Sequence, residues 1–370
     1  MRLGKFFDKS IDKFATVPLN RKHSLAPWRL PHGFGLGISC ESASLNTRTG
    51  AGRHMLTEVT PAQFRNSVVA VPPLALTPDF DINPAANAAQ IRHLETGGVT
   101  TLLYGGNANV QNWPVSRFSA WLDVLEDAAD NGSWLIPSVG PDYGKLVDEA
   151  AILKTKRYPV AMALPLTAPQ NREGVLIGLE DFVQRSGVPL IVYIKSDNYV
   201  APEGLARLKE QGMIFGIKYA VPRKNLSEDA YLQSLIDALG RDCIISGFGE
   251  PPALRHLMDF DLAGFTAGCV CIAPTLSTQF MRALQARNEA ESKRLLEPFL
   301  PLEAIRERAH PIRVLHTAVT FSRVADMGPI LPLLTEADPS EHAAIREAAE
   351  TLMAAEMAAR STTPAKTVSA

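Results

Sequence analysis

A chain of 370 residues with 46% hydrophobic and 21% charged side chains and a formal net charge of -2 buries enough apolar surface for one large domain or two ordinary ones. That balance, without a Lys/Arg stripe interleaved with aromatics in the body of the chain, argues against nucleic acid as a partner. No apolar run approaches the roughly 18 to 20 residues that span a bilayer. The four cysteines, Cys40, Cys243, Cys269 and Cys271, form no C-x-x-C pair and have no partnered His spacing, which predicts reduced thiols in a cytoplasmic protein and no metal site.

In chain order, residues 1–54 come first: basic, rich in Ser, Gly and Arg, poor in acids, and without a sustained period. They lack the compact apolar segment of a secretory signal and are expected to be a disordered leader ahead of a domain opening at Met55. From residue 68 a single theme repeats: a short β-branched or apolar run, a Gly/Pro/Asn/Asp turn, then an amphipathic helical stretch. The runs are 68–76, 100–106, 134–140, 159–165, 189–195, 214–220, 243–249 and 264–270. Helical patterns such as "AANAAQIRHLETGG", "GVLIGLEDFVQRSG" and "SEDAYLQSLIDALGR" lie between them, most ending near a glycine suited to a left-handed C-cap.

Strands apolar on both faces that alternate with helices imply a parallel sheet covered by helices, and eight such units match a (β/α)8 barrel. An open doubly wound sheet is the competing arrangement, but "VPPLALTPD" after the first run is not the Gly-rich first turn such a sheet offers. Three further helical patterns follow the eighth run. The organisation expected is thus a barrel over 55–275, a three-helix appendix over 276–358 and a disordered tail over 359–370.

In a barrel the reactive groups collect at the C-terminal ends of the strands. The polar residues there include Tyr104, Gly105, Gly106 and Asn107 after the second run, Asp142 and Tyr143 after the third, Thr167 after the fourth, and Tyr193 and Lys195 on the fifth. Lys218 and Tyr219 on the sixth, Ser246, Gly247 and Glu250 on the seventh, and Thr266 on the eighth complete the set. Lys218 and Tyr193 stand apart because each ends an otherwise apolar run. Burial favours the neutral amine of a lysine, which attacks carbonyls to form a Schiff base, and a neighbouring tyrosine can carry protons. On the strand context alone, a lysine snorkelling to a rim carboxylate beside a core tyrosine explains the same pattern. Lys195, two residues beyond Tyr193, reads as a solvated rim lysine.

"IFGIKYA" resembles the Schiff-base lysine strand of the dihydrodipicolinate synthase / N-acetylneuraminate lyase family, and "VPLIVYIKSDN" resembles the strand ending in that family's catalytic tyrosine. "GGVTTLLYGGNANV" is similar to the G-T-T-G-E loop region, "CIISGFGE" to the S-G-D segment and "HPIRVLHTAV" to the N-P-I-P-V-K helix, all in the family's order over residues 66 to 355. The resemblance implies an imine between Lys218 and the keto carbon of a pyruvate-type 2-oxo acid, Tyr193 as proton shuttle, and the N–H groups of Gly105, Gly106 and Asn107 on the substrate carboxylate. Thr167, Ser246, Gly247 and Thr266 are the other substrate-binding candidates. It also implies no cofactor or metal, and a homotetramer or dimer. Three departures argue against a true dihydrodipicolinate synthase. Gly106 and Asn107 stand in place of two hydroxyls, Leu166 and Thr167 in place of the interface tyrosine, and Asn198 near the expected arginine.

The resulting expectation is a Schiff-base lyase that makes or breaks a C–C bond next to a 2-oxo acid, with an aldehyde or sugar-acid partner substrate. Two alternatives remain: a dehydratase of a 2-keto-3-deoxy sugar acid using the same imine, and a catalytically idle barrel that binds a keto acid.

Overall fold

Every one of the eight apolar runs contributes a strand, and each strand pairs in parallel with its sequence neighbour. The computed structural model describes residues 55–166 and 169–362. The strands are β1 (Val69–Ala70), β2 (Thr101–Tyr104), β3 (Trp134–Val139), β4 (Ala161–Ala163), β5 (Leu190–Ile194), β6 (Ile214–Tyr219), β7 (Ile244–Ser246) and β8 (Gly264–Ala267). Register runs from Val69↔Thr101 around to Val69↔Thr266, which closes the sheet into a barrel. The first run is a strand over only two of its nine residues, because prolines 72 and 73 remove two ladder donors.

Helices α1 (Pro84–Thr96), α2 (Phe118–Ala128), α3 (Tyr143–Leu153), α4 (Arg172–Ser186), α5 (Pro202–Glu210), α6 (Ala230–Leu239) and α7 (Glu250–Phe260) alternate with the strands. Their starts are fixed locally. The side chains of Asn83, Asp142, Asn171 and Asp229 each accept an N–H of the first turn, worth about 1 kcal/mol apiece. Gly187 ends α4 in the left-handed conformation at φ 74°.

The N-terminal end of the barrel is plugged by aromatics. Phe64, carried on a 3-10 turn (Pro61–Arg65), packs 5.5 Å from Trp134 and 5.6 Å from Phe215, and those two rings lie 5.3 Å apart. A register shift admits Phe215 to this cluster: Leu190 pairs with Ile214 but Ile191 pairs with Gly216, so Phe215 bulges out of the alternation. Gly216 and Gly264 border the plug, since methyl groups there would come within 2.9 Å of the Phe64 ring and 2.4 Å of the Phe64 carbonyl oxygen.

After β8 the chain forms α8 (Pro274–Gln285), α9 (Glu289–Leu296), α10 (Leu300–Arg308), α11 (Pro311–Phe321) and α12 (His342–Thr362). The barrel therefore extends past the expected boundary at 275, because α8 packs between α7 and α1 and completes the outer ring. Helix α12 likewise runs four residues beyond the expected end at 358. Its fully buried Glu356 explains the extension: the carboxylate accepts the N–H groups of Thr275 (3.2 Å) and Leu276 (3.0 Å) at the start of α8 and pairs with Arg360 at 2.6 Å. The expected leader 1–54 and residues 363–370 lie outside the described residues. Among the described residues no helix is long and apolar enough to cross a membrane, and Cys243, Cys269 and Cys271 are buried free thiols.

Candidate active site

Strand alternation decides which polar side chains reach the lumen. The Tyr219 hydroxyl donates to Asp229, the cap of α6, at 2.7 Å, and its ring packs against Tyr231 of α6 and His256 of α7, so Tyr219 faces the helical shell. Lys218, one residue earlier, points the other way, into the barrel. Its Nζ lies 4.0 Å from the centre of the Tyr193 ring on the adjacent strand, where Tyr193 and Lys218 are registered partners.

Lys218 is 4% exposed. Burial lowers its pKa from 10.5 to about 7, assisted by the positive charges of Lys195 and Arg306. A substantial share of the molecules then carries Lys218 as free amine near neutrality. Burial pushes the Tyr193 phenol up to about 12, so it carries its proton there. Lys195 is exposed, with Nζ 5.9 Å from the same ring. A free amine, a held proton and a π face toward any ammonium are what carbinolamine chemistry uses.

The loop after β2 brings backbone donors to the same end of the barrel. Gly105 has φ -137° and ψ -125°, and a methyl on it would come within 2.9 Å of Met162 Cε and 3.0 Å of Ser138 Oγ. Around Gly106 the equivalent position is open. The Gly105 and Gly106 carbonyls accept the N–H groups of Ala108 (3.1 Å) and Asn109 (2.9 Å), while those of Gly106 and Asn107 have no protein partner among the described residues. The Asn107 side chain instead donates to the Val71 carbonyl at 2.8 Å, anchoring the loop to the end of β1.

Several sequence candidates lie elsewhere. Ser246 was expected at the substrate site, but its Oγ is 2.8 Å from Nδ1 of the buried His256 on α7, so it belongs to the outer layer. Burial lowers the His256 imidazole to about 4, which keeps it neutral. Gly247 follows on the lumen side, where its N–H donates to the Tyr219 carbonyl at 2.7 Å and a methyl would meet that oxygen at 2.8 Å. Thr266 is buried and faces the lumen, since Phe265 before it packs on Phe280 of α8. Tyr104 packs on Trp121 of α2, outside the barrel. Tyr143 is a surface residue donating to Asp181 at 3.0 Å, and Asn109 is a turn residue at φ 54°. Thr167 lies outside the described residues.

Two residues escaped the sequence reading. Ser138, on β3, is buried with an Oγ that has no protein partner among the described residues. The alternation Trp134, Ile136, Ser138 carried its signal. Tyr199 accepts the Leu166 N–H at 2.8 Å and so pins the loop after β4, a long-range contact with no local signature.

Fold and site together define a parallel (β/α)8 barrel with a low-pKa lysine facing a tyrosine in its lumen. The architecture is that of the dihydrodipicolinate synthase / N-acetylneuraminate lyase family. A dihydrodipicolinate synthase from Agrobacterium tumefaciens superimposes with a TM-score of 0.69 at 19% identity, covering 79% of this chain and 99% of that one. The sialic acid aldolase of Ruminococcus gnavus gives 0.69 at 12% identity, covering 80% and 99%, and a catalytic lysine mutant of it gives 0.70, also at 12%, covering 81% and 99%. In sequence, a probable 5-dehydro-4-deoxyglucarate dehydratase of Streptomyces coelicolor is 23% identical over 205 residues, 52% of this chain and 61% of that protein. The match thus spans less than two thirds of that relative, and no family model matches the chain.

Proposed function

We propose that the protein is a Schiff-base-forming lyase acting on a 2-oxo acid of the pyruvate type. The observation that carries the reading is the buried Lys218 amine, with its pKa lowered to about 7, set 4.0 Å from the Tyr193 ring. The sialic acid aldolase of similar fold has a catalytic lysine.

The neutral amine of Lys218 attacks C2 of the oxo acid to give a carbinolamine, and Tyr193 donates the proton with which its hydroxyl leaves as water. The resulting iminium draws in the electron pair of the C3–C4 bond when the C4 hydroxyl loses its proton, releasing an aldehyde and leaving an enamine. Protonation at C3 and hydrolysis then free pyruvate and the lysine. The N–H groups of Gly105, Gly106 and Asn107 hold the carboxylate next to C2, with Gly247 and Thr266 bordering the substrate. The chain acts as a homotetramer or dimer in the cytoplasm and needs neither metal nor diffusible cofactor.

A second reading is favoured by the dehydratase relative. The same iminium acidifies C3–H, and water leaves from C4 without cleavage of the chain. Borohydride trapping tests both: reduction in the presence of pyruvate should leave a reduced adduct on the Lys218 peptide that is absent from Lys218→Arg. Product analysis with 2-keto-3-deoxy sugar acids then separates pyruvate plus aldehyde from loss of water. If no 2-oxo acid is trapped, the imine mechanism is wrong and the idle barrel takes its place.

A further inference from the structure

A second buried cation lies at the C-terminal end of the barrel. Arg306 of α10 is 8% exposed, and its guanidinium rests on Gly268, the residue after β8, where a methyl group would fall 2.7 Å from Nη2. Nη1 binds Glu303 Oε1 at 2.5 Å and lies 3.8 Å from Cys269 Sγ, while Nε donates to the Pro311 carbonyl at 3.3 Å. Among the described residues Nη2 has no protein partner. Nη2 is not among the sealed, unpartnered polar atoms, so its free N–H groups remain open to solvent and to a ligand.

The surroundings restrict that ligand. The Glu303 carboxylate reaches 3.3 Å from where a methyl on Gly249, beyond β7, would sit, so the Arg306–Glu303 pair stands over the ends of β7 and β8, beside the strand that carries Lys218. Glu250 is fully buried, accepts from Ser277 Oγ at 3.1 Å and has an unpartnered Oε2. Burial, then the charge of Glu303, raises it to about 8, so near neutrality the guanidinium is opposed by Glu303 alone. The Glu303 carboxylate, which offsets the guanidinium charge, disfavours a phosphate dianion there. A single carboxylate can accept a charge-assisted hydrogen bond from the free Nη2, which is nearer to it than the Glu303 charge bound on Nη1.

We propose that Arg306 is the specificity-determining residue for a dicarboxylic 2-oxo acid, its Nη2 holding the distal carboxylate while C2 faces Lys218. The inference rests on the Schiff-base reading for its chemistry.

The test compares half-saturating concentrations for borohydride trapping of 2-oxoadipate and of pyruvate, using the full chain. The wild type should favour the diacid. Arg306→Gln should reduce the diacid-to-pyruvate preference about 10-fold or more, the usual loss for a charge-assisted hydrogen bond. Because the ratio is read, any change in Lys218 reactivity cancels. Should Arg306→Gln fail to fold, Gly268→Ala keeps every charge and pushes on Nη2 from a helical backbone (φ -95°, ψ -46°) that alanine adopts freely. The same loss of preference is expected. An unchanged ratio in a folded variant overturns the proposal. If the wild type traps no oxo acid, protection of Lys218→Met by 2-oxoadipate against thermal unfolding still reads the Arg306 site. Protection lost in Lys218→Met/Gly268→Ala supports the proposal, and protection absent or unaltered there overturns it, separately from the fate of the imine.

Discussion

Replacing Lys218 by methionine should abolish imine formation and at the same time stabilise the protein. The lysine has its pKa lowered from 10.5 to about 7 by burial, so between those pH values the unfolded chain binds a proton that the folded chain does not. Stability contributed through this group therefore rises with pH across that window, and the lysine is most costly at its lower end. Integrating the linkage gives a cost of about 4 kcal/mol at pH 7 and about 2 kcal/mol at pH 9. Methionine fills a similar volume without a charge. Any packing difference it introduces is independent of pH, so the change in its advantage between the two pH values isolates the titration. Urea unfolding of both proteins at pH 7 and pH 9, at one protein concentration, should show the advantage of Lys218→Met shrinking by about 2 kcal/mol. An advantage equal at both pH values would mean that the ammonium is solvated or paired, and the argument for a reactive amine would fall with it.

For the reaction itself, kcat/KM should rise as pH increases through about 7, the Lys218 value, because the deprotonated amine is the nucleophile. A flat profile from pH 6 to 8 would contradict that assignment. Tyr193→Phe keeps the ring over Lys218 and removes only the proton carrier, so kcat should fall by about 10²- to 10⁴-fold with a smaller effect on KM. Unaltered kcat would assign Tyr193 a packing role. Glu356→Ala removes the carboxylate that accepts two N–H groups at the start of α8 and leaves Arg360 without its ion-pair partner. It should cost roughly 2 to 3 kcal/mol in denaturant unfolding, with the Lys218 site chemistry retained.

The sequence by itself determined the eight strand positions, because a parallel sheet buried on both faces demands continuous apolar runs, and any polar residue inside one is conspicuous. Lys218 and Tyr193 were legible for that reason. Boundaries were less so: prolines 72 and 73 shortened the first strand, and α12 passed its expected end because Glu356 caps a helix 80 residues away in sequence. Side-chain direction was decided by tertiary structure. Ser246 sits as plausibly at its strand end as Thr266, yet a buried His256 draws it to the helical layer while Thr266 faces the lumen. Arg306 had no local signal, since an arginine near a helix C-terminus is usually solvated. Only the packing of α10 over Gly268 carries it to the barrel mouth. A sequence records local periodicity and out-of-place polarity, whereas the meeting of residues far apart in the chain is set by how barrel and C-terminal helices close on one another.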